Sequence, residues 1–246
     1  MNPAIIIQAR LGSTILPKKV LMKFYNDNTI LDIIVQSIKK ATSLPIVIAT
    51  SDNQLDDTLE KYCLEKNYLC FRGSEHNVLK RFIDTAEHYG FSHLFRICAD
   101  NPFLQPDTIK EILTTFNANL ESEYISYNVF GKPSILTHYG FWPEFASIYA
   151  LQKALQKGTM FNHEHVTNYI YTHPEEFKIV WLKTPVWLHK DNDYRLTVDD
   201  ITDFKNTQQL FELCFPDLSP ANIFHHIEKE EALIISMKNH ITKNSK

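Results

Sequence analysis

Apolar positions along the first half of the chain alternate between two rhythms. Ala4–Gln8 is a continuous apolar run closed by a glutamine, the pattern of a strand buried on both faces. After a loop, Thr29 and Asp32 stand at capping-box spacing and predict a helix to about Ala41. Pro45–Thr50 reads as a second buried strand. Ser51 and Gln54 repeat the capping spacing ahead of Leu55, Leu59 and Cys63, which recur on one helical face. Tyr68–Phe71 is a third strand. Glu75–Tyr89 is a helix burying Val78, Leu79, Phe82, Ile83 and Ala86, with Gly90 as a left-handed C-cap. His93–Cys98 is a fourth strand, and Pro106 opens a helix carrying Ile109, Ile112, Leu113 and Phe116. Strands alternating with helices of this length predict the α/β class, a mostly parallel sheet covered on both faces.

The second half is less regular. Residues 129–190 hold all three tryptophans and a concentration of tyrosine and phenylalanine, which suits a substrate pocket, an interface or an aromatic core patch. Tyr194–Val198 predicts a strand, followed by a helix from Asp200 or Ile201. Ser219-Pro220 starts another helix, a last one runs through Ile234, and Lys238–Lys246 is expected to fray. No Gly-, Ser- or Pro-rich linker divides the sequence, so residues 1–246 are expected to form a single domain with 129–190 as an inserted lobe.

Composition narrows the function. The longest apolar runs fall far short of the roughly 20 residues of a membrane-spanning helix, and Met1-Asn2-Pro3 carries no basic residue of a signal peptide. Cys63, Cys70, Cys98 and Cys214 lack metal-ligand spacing and predict buried, reduced thiols in a cytoplasmic protein. A net charge of −4 argues against a general nucleic-acid binder. There are only six glycines, so their positions are informative.

In open parallel sheets, ligands bind beyond the carboxyl ends of the strands. The first strand end delivers Ala9, Arg10, Leu11, Gly12, Ser13 and Thr14, then Lys18 and Lys19, which is either a solvated basic turn or a phosphate cradle. It is neither a P-loop nor a dinucleotide fingerprint. Later strand ends deliver Ser51, then Arg72-Gly73-Ser74, then Asp100-Asn101-Pro102, then Asp199-Asp200. Asp100 and Asp199 read either as helix caps or as the carboxylates of a magnesium site completed by phosphate oxygens. His163 and His165 have a spacing better suited to a strand than to a helical zinc site. Asp191-Asn192-Asp193 has the D-x-D form of metal-dependent glycosyltransferases, and no G-x-S-x-G elbow is present.

Ile7–Thr14, Leu16-Pro17 and Lys19–Leu21 together resemble the opening motif of the spore-coat polysaccharide type of cytidylyltransferase, relatives of the CMP-Kdo and CMP-sialate synthetases. The resemblance continues in register through Val47–Ser51, Phe71–Ser74 with Asn77–Leu79, Arg96–Pro102 with Pro106, Glu164–Thr167 with Tyr169-Ile170 and His173-Pro174, and Leu196–Asp199. It implies a Rossmann-like, nucleotide-diphospho-sugar transferase-like sheet. The implied activity is a nucleotidyltransferase that uses CTP and Mg²⁺ to activate a sugar or sugar phosphate for surface polysaccharide, releasing pyrophosphate.

Carried onto matching positions, Arg10, Lys19 and Asp100 would be catalytic. Ala9, Arg10, Leu11, Gly12, Ser13, Lys18, Lys19, Ser51, Arg72, Gly73, Ser74 and Asn77 would bind nucleotide, and Asp100 and Asp199 would hold the metal. Trp142, Glu144, His163 and His165 would bind the acceptor, and the 129–190 lobe would form a homodimer contact. The chain departs from the pattern at Ile15, where an arginine is usual, at Lys18 for glycine, at Trp142 for aspartate and at His163 for arginine. Two alternatives follow: a weakened relative that binds a nucleotide sugar as a sensor or assembly partner, and a glycosyltransferase using Asp191-Asn192-Asp193.

Overall fold

The computed structural model describes residues 2–244. β1 (Pro3–Gln8) leads through a basic loop into a small hairpin of β2 (Lys23–Tyr25) and β3 (Asn28–Thr29). There follow α1 (Ile30–Ala41), β4 (Ile46–Ser51), α2 (Asp57–Glu65), β5 (Leu69–Gly73), α3 (Val78–Tyr89), β6 (His93–Cys98) and α4 (Asp107–Ala118). The second half runs β7 (Tyr124–Val129), β8 (Lys132–Pro133), β9 (Glu144–Ser147), α5 (Ile148–Lys157), α6 (Met160–Glu164) and α7 (Asn168–Thr172). It closes with β10 (Ile179–Lys183), α8 (Ile201–Cys214), α9 (Pro220–Lys229) and α10 (Glu231–Asn244).

One sheet carries β10-β7-β9-β6-β1-β4-β5 in that spatial order, with β8 paired to β7. Among the long strands only β9 runs against its neighbours. The apolar run of β1 is buried on both sides, as its composition requires. Ile5 and Ile7 pack with α1, α2, α4 and α8 on one face, whereas Ala4 and Ile6 pack with α3, α5 and α7 on the other. The Thr29–Asp32 capping box forms at α1, and Gly90 caps α3 with φ +71°.

The register puts Gln8 level with Ala49 of β4 and Cys98 of β6. From β1 the chain builds outward through β4 and β5, then returns to lay β6 on the other side of β1. Strand order therefore reverses between β1 and β6, and the loops leaving them splay apart to open a crevice.

Several expectations are corrected. Ser51 caps nothing: its hydroxyl donates to buried Asp56, while Asn53 caps a 3₁₀ turn over Gln54–Asp56 and leaves Leu55 exposed. α3 begins at Val78, because Asn77 accepts from the Lys80 N–H at 2.8 Å and ends the preceding loop. Tyr194–Val198 is not a strand. Its Leu196 and Val198 N–H groups donate to the His138 and Asp100 carbonyls, two isolated bonds in place of a ladder. The expected frayed tail is helical to Asn244, held by buried Leu233 and Met237; residues 245–246 lie outside the described residues.

All four cysteines are free; Cys63 and Cys214 are buried, Cys70 and Cys98 only half-buried. No helix among the described residues is long and apolar enough to cross a membrane. The aromatic enrichment divides. Tyr139, Phe141 and Trp142 are core, with Trp142 stacked on Trp187 at 6.0 Å, whereas Tyr149 and Phe161 are exposed.

Candidate active site

The loop after β1 is folded on itself. The Leu11 N–H donates to Asp56 Oδ1 at 2.6 Å, the Lys18 N–H reaches back to the Leu11 carbonyl at 3.1 Å, and Ser13 Oγ accepts from the Leu16 N–H. Lys18 sits at φ +61°, a left-handed backbone that favours glycine. Gly12 faces open space: a Cβ there would meet nothing, so no packing inside the fold demands the glycine.

Closing the loop delivers Lys19 into the crevice. Its Nζ lies 3.4 Å from Asp100 Oδ2 and 3.3 Å from Asp199 Oδ1, and it donates to the Val198 carbonyl at 2.5 Å. Burial opposes the charge on Lys19, but attraction to Asp100 and Asp199 outweighs it and holds the lysine pKa above its ordinary value. At Asp100 burial raises the carboxyl pKa, Lys19 offsets part of that, and repulsion from Asp199 adds to it. Asp100 is thus a carboxylate for which a further cation would relieve strain. The Asp199 carboxylate is anchored on its far side by Arg195, whose Nη2 donates to Oδ2 at 2.6 Å. Arg195 is itself fixed by Asp203 at 2.8 Å and by His138 Nδ1 at 2.9 Å.

Two adjoining cavities meet at these carboxylates. The first, about 280 Å³, is lined by Gln8, Ala9, Arg10, Ser13, Thr14, Ile15, Lys19, Asp100 and Asp199. The Arg10 guanidinium and the Lys18 ammonium have no ionic partner among the described residues, and Gln8 Oε1 is buried without a hydrogen bond. Arg10 on the cavity wall, with Lys18 in the same loop outside the lining, suits an anion with several charges. The two aspartates are hard oxygen donors with room beside them for phosphate oxygens and water, a donor set that fits Mg²⁺. The second cavity, about 370 Å³, shares Cys98, Asp100 and Asp199 and adds Asn101, Ser134, His138, Gly140, Trp142, His165 and Thr197. Gly140 is at φ +64°, and a Cβ there would come within 3.0 Å of Asn101 Oδ1, so the wall closes only around glycine.

Ten of the candidate site residues picked out in the sequence line neither cavity: Leu11, Gly12 and Lys18 of the β1 loop, and Ser51, Arg72, Gly73, Ser74, Asn77, Glu144 and His163. Ser51 is spent on Asp56. Arg72 gives its donors to Asp57 at 2.6 Å, Glu60 at 2.9 Å and the Ser51 and Asn53 carbonyls. Gly73 makes room for Arg81, whose Cγ would lie 3.1 Å from an added Cβ, and the Ser74 carbonyl accepts from Arg81 Nη1 at 2.7 Å. Asn77 caps α3 and contacts His163 Nδ1 at 3.4 Å, while His163 Nε2 meets the Leu155 carbonyl at 3.1 Å. Glu144 is buried against Arg96 at 2.6 Å, Thr167 at 2.8 Å and the Tyr124 hydroxyl.

Of the four expected acceptor residues, Trp142 and His165 reach the second cavity and Glu144 and His163 do not. Nor do the two histidines form a metal pair. Asp191-Asn192-Asp193 lies apart from both cavities, with Asp191 against Lys132 and the Tyr139 hydroxyl. Arg195 and His138 escaped the sequence reading, while Asn101 and Thr197 entered it only as members of a strand end and of a family segment, with no role assigned. Gly140 could have been found, as one of so few glycines; Arg195 and His138 carry no local signal. Asp200, Asp203 and His240 cluster behind Asp199, with the two His240 ring nitrogens each 2.7 Å from one of the carboxylates.

Comparison with known proteins gives a consistent result. The sequence profile described as "Cytidylyltransferase" matches residues 4–239. The spore coat polysaccharide biosynthesis protein SpsF of Bacillus subtilis (strain 168) is 33% identical over 226 residues, covering 89% of this chain and 90% of that one. Among solved structures, a cytidylyltransferase from Leptospira borgpetersenii superposes with TM-score 0.83 at 25% identity, covering 95% of this chain and 97% of that one. A CMP:2-keto-3-deoxy-manno-octonic acid synthetase complexed with CTP shares the fold, with TM-score 0.63 at 12% identity over 86% of this chain and 99% of that one.

Proposed function

The chain belongs to the cytidylyltransferase family, and from that premise we propose that it transfers CMP from CTP to a sugar or sugar phosphate, releasing pyrophosphate, for surface polysaccharide synthesis. The observation that carries this reading is the convergence of unpaired Arg10 with the Lys19–Asp100–Asp199 cluster on one cavity at the strand-order reversal. The relative's part in spore coat polysaccharide synthesis supports the pathway assignment.

In this reading the triphosphate lies along the β1 loop, with the side chains of Arg10, Ser13, Lys18 and Lys19 and the backbone N–H groups of Arg10 and Gly12 as donors, those of Ala9 and Leu11 being spent on Ala49 and Asp56. Asp100 and Asp199 hold Mg²⁺, which supplies charge neutralisation on the phosphates. Lys19 balances the paired aspartates and stands ready to meet negative charge on the departing pyrophosphate. Arg195 fixes the Asp199 carboxylate so that little reorganisation is needed. An acceptor in the second cavity presents its oxygen to the α-phosphorus across the shared wall at Asp100. Catalysis is then positioning and electrostatic stabilisation. The exposed Tyr149, Met160 and Phe161 support a homodimer contact in the 129–190 lobe, which light scattering in solution tests.

The direct experiment is pyrophosphate release with each of the four common nucleoside triphosphates against a panel of sugars and sugar phosphates. Turnover with CTP alone supports the reading. A second reading, a nucleotide-sugar-binding relative without turnover, is favoured by Ile15, an exposed apolar side chain at the mouth of the first cavity. Tight CTP binding with no turnover across the panel selects it.

A further inference from the structure

We propose that His240, on the last helix, is a positioning residue for the Asp199 carboxylate, acting through Asp203 and Arg195. Its consequence for turnover rests on the nucleotidyl-transfer reading, whereas the linkage itself rests on contacts behind the cavity wall. Asp199 is held from three sides. Its Oδ1 meets Lys19 Nζ at 3.3 Å, its Oδ2 accepts from Arg195 Nη2 at 2.6 Å, and its N–H donates to Asp203 Oδ2 at 2.9 Å. Two of these holds run through Asp203, because Asp203 Oδ1 also accepts from Arg195 Nε at 2.8 Å. Asp203 is 1% exposed, so protein donors and not bulk water set its orientation.

His240 is one of those donors. Its Nδ1 lies 2.7 Å from the same Asp203 Oδ1, and its Nε2 lies 2.7 Å from Asp200 Oδ2. Carboxylate oxygens accept, so both ring nitrogens are placed to donate, and one rigid ring pins two aspartates at a fixed separation. Asp200 is in turn the cap of α8, its Oδ1 accepting from the Thr202 and Asp203 N–H groups at 2.8 and 3.0 Å. Asp199, Asp200 and Asp203 crowd three carboxylates together, with Arg195 shared between the first and the last. Without the ring, Arg195 is drawn toward Asp203 and loosens its hold on Asp199 Oδ2, and the half-exposed Asp199 side chain is free to turn.

The ring is not needed to dock its helix. Leu233, Met237 and His240 stand at i, i+4 and i+7 on one face of α10, and the first two are buried in the core. Ser236 on the same helix accepts from Asn206 Nδ2 of α8 at 2.9 Å. α10 is therefore anchored a turn before His240, and the ring is spent on the aspartates. That separation supplies the variants. His240→Leu removes both donors. His240→Asn, whose amide N–H₂ reaches the Nδ1 position, keeps the donor to Asp203 and loses the one to Asp200. Ser236→Ala loosens the same helix without touching either aspartate.

The test uses the full-length protein, with Mn²⁺ as the metal probe, titrated in the presence of CTP and followed by electron paramagnetic resonance. His240→Leu is expected to weaken Mn²⁺ binding about tenfold, and His240→Asn to recover most of the loss. Ser236→Ala should stay within about twofold of the wild type. At saturating metal, kcat of His240→Leu should fall about tenfold with the CTP KM unchanged. Unchanged or tighter Mn²⁺ binding in His240→Leu overturns the positioning role, as does an equal loss in His240→Asn or in Ser236→Ala. If circular dichroism shows that His240→Leu does not fold, His240→Ala, which removes the same donors with less bulk, takes its place. The linkage is read separately, without metal or nucleotide, from the Arg195 Nε–H resonance in ¹⁵N NMR, assigned by its loss in Arg195→Lys. Its exchange with water should quicken about tenfold in His240→Leu, and an unchanged resonance overturns the linkage. If neither CTP nor Mn²⁺ binds the wild type, the nucleotidyl-transfer reading fails, and the Arg195 resonance still decides whether His240 holds the clamp on Asp199.

Discussion

Single side chains decide how the two cavities are charged, and three of them give sharp tests. Asp100 joins both cavities and balances Lys19 at 3.4 Å. Asp100→Asn keeps the shape and removes the charge, so turnover should fall by at least about a hundredfold while the circular dichroism spectrum stays unchanged. Lys18 occupies a left-handed backbone at φ +61°, which a Cβ disfavours by about 1 kcal/mol. Lys18→Gly should therefore raise stability by up to about 1 kcal/mol in urea titrations, and its loss of a cation should raise the KM for CTP.

His138 supplies the pH test. Burial, and then the Arg195 charge, lower its pKa below 6.5, with Asp199 and Asp203 offsetting part of the shift. The unfolded chain takes up a proton that the folded chain refuses. The stabilisation is thus complete above 6.5 and is lost as pH falls through the lower folded value. Urea midpoints measured at about pH 8 and about pH 5.5 should accordingly drop more for the wild type than for His138→Gln.

At the scale of elements, the sheet's antiparallel strand carries a buried carboxylate. Glu144 of β9 is 1% exposed and meets Arg96 of β6 at 2.6 Å, with Thr167 and the Tyr124 hydroxyl completing its shell. Its motif looked like part of an acceptor site, yet it ties β6, β7 and the α6–α7 connection together. Glu144→Gln leaves the buried guanidinium without its counter-charge and should cost about 3–5 kcal/mol in urea unfolding, with the acceptor KM of the folded fraction little changed. A large KM effect without a stability loss would return Glu144 to the acceptor site. Gln54 and the Tyr194–Val198 segment teach a related lesson. Capping spacing and β-propensity were both present, but Asp56 competed for Ser51, and no neighbouring strand offered Tyr194–Val198 a ladder.

For the whole molecule, one sheet runs continuously from β10 to β5, and we propose that the chain unfolds as a single domain. Circular dichroism and tryptophan fluorescence should then report a single coincident urea transition. Mg²⁺ with CTP should raise Tm in the wild type and not in Asp100→Asn, because ligands that bind only the folded chain stabilise it by mass action.

What the sequence determined by itself is local and periodic: the buried strands, the helices between them, the caps at Thr29 and Gly90, and a short list of loops that must share a rim. These follow from side-chain chemistry within a few residues, and the β1 loop with Lys19 and Asp100 was legible for that reason. Only the tertiary structure decided which residues on that list face a cavity and which are spent on neighbours. Arg72 and Glu144 find partners twelve to forty-eight positions away, and His138 meets Arg195 across 57. No short-range pattern encodes such encounters, because they are fixed by how strands order and faces pack, not by the spacing of residues along the chain.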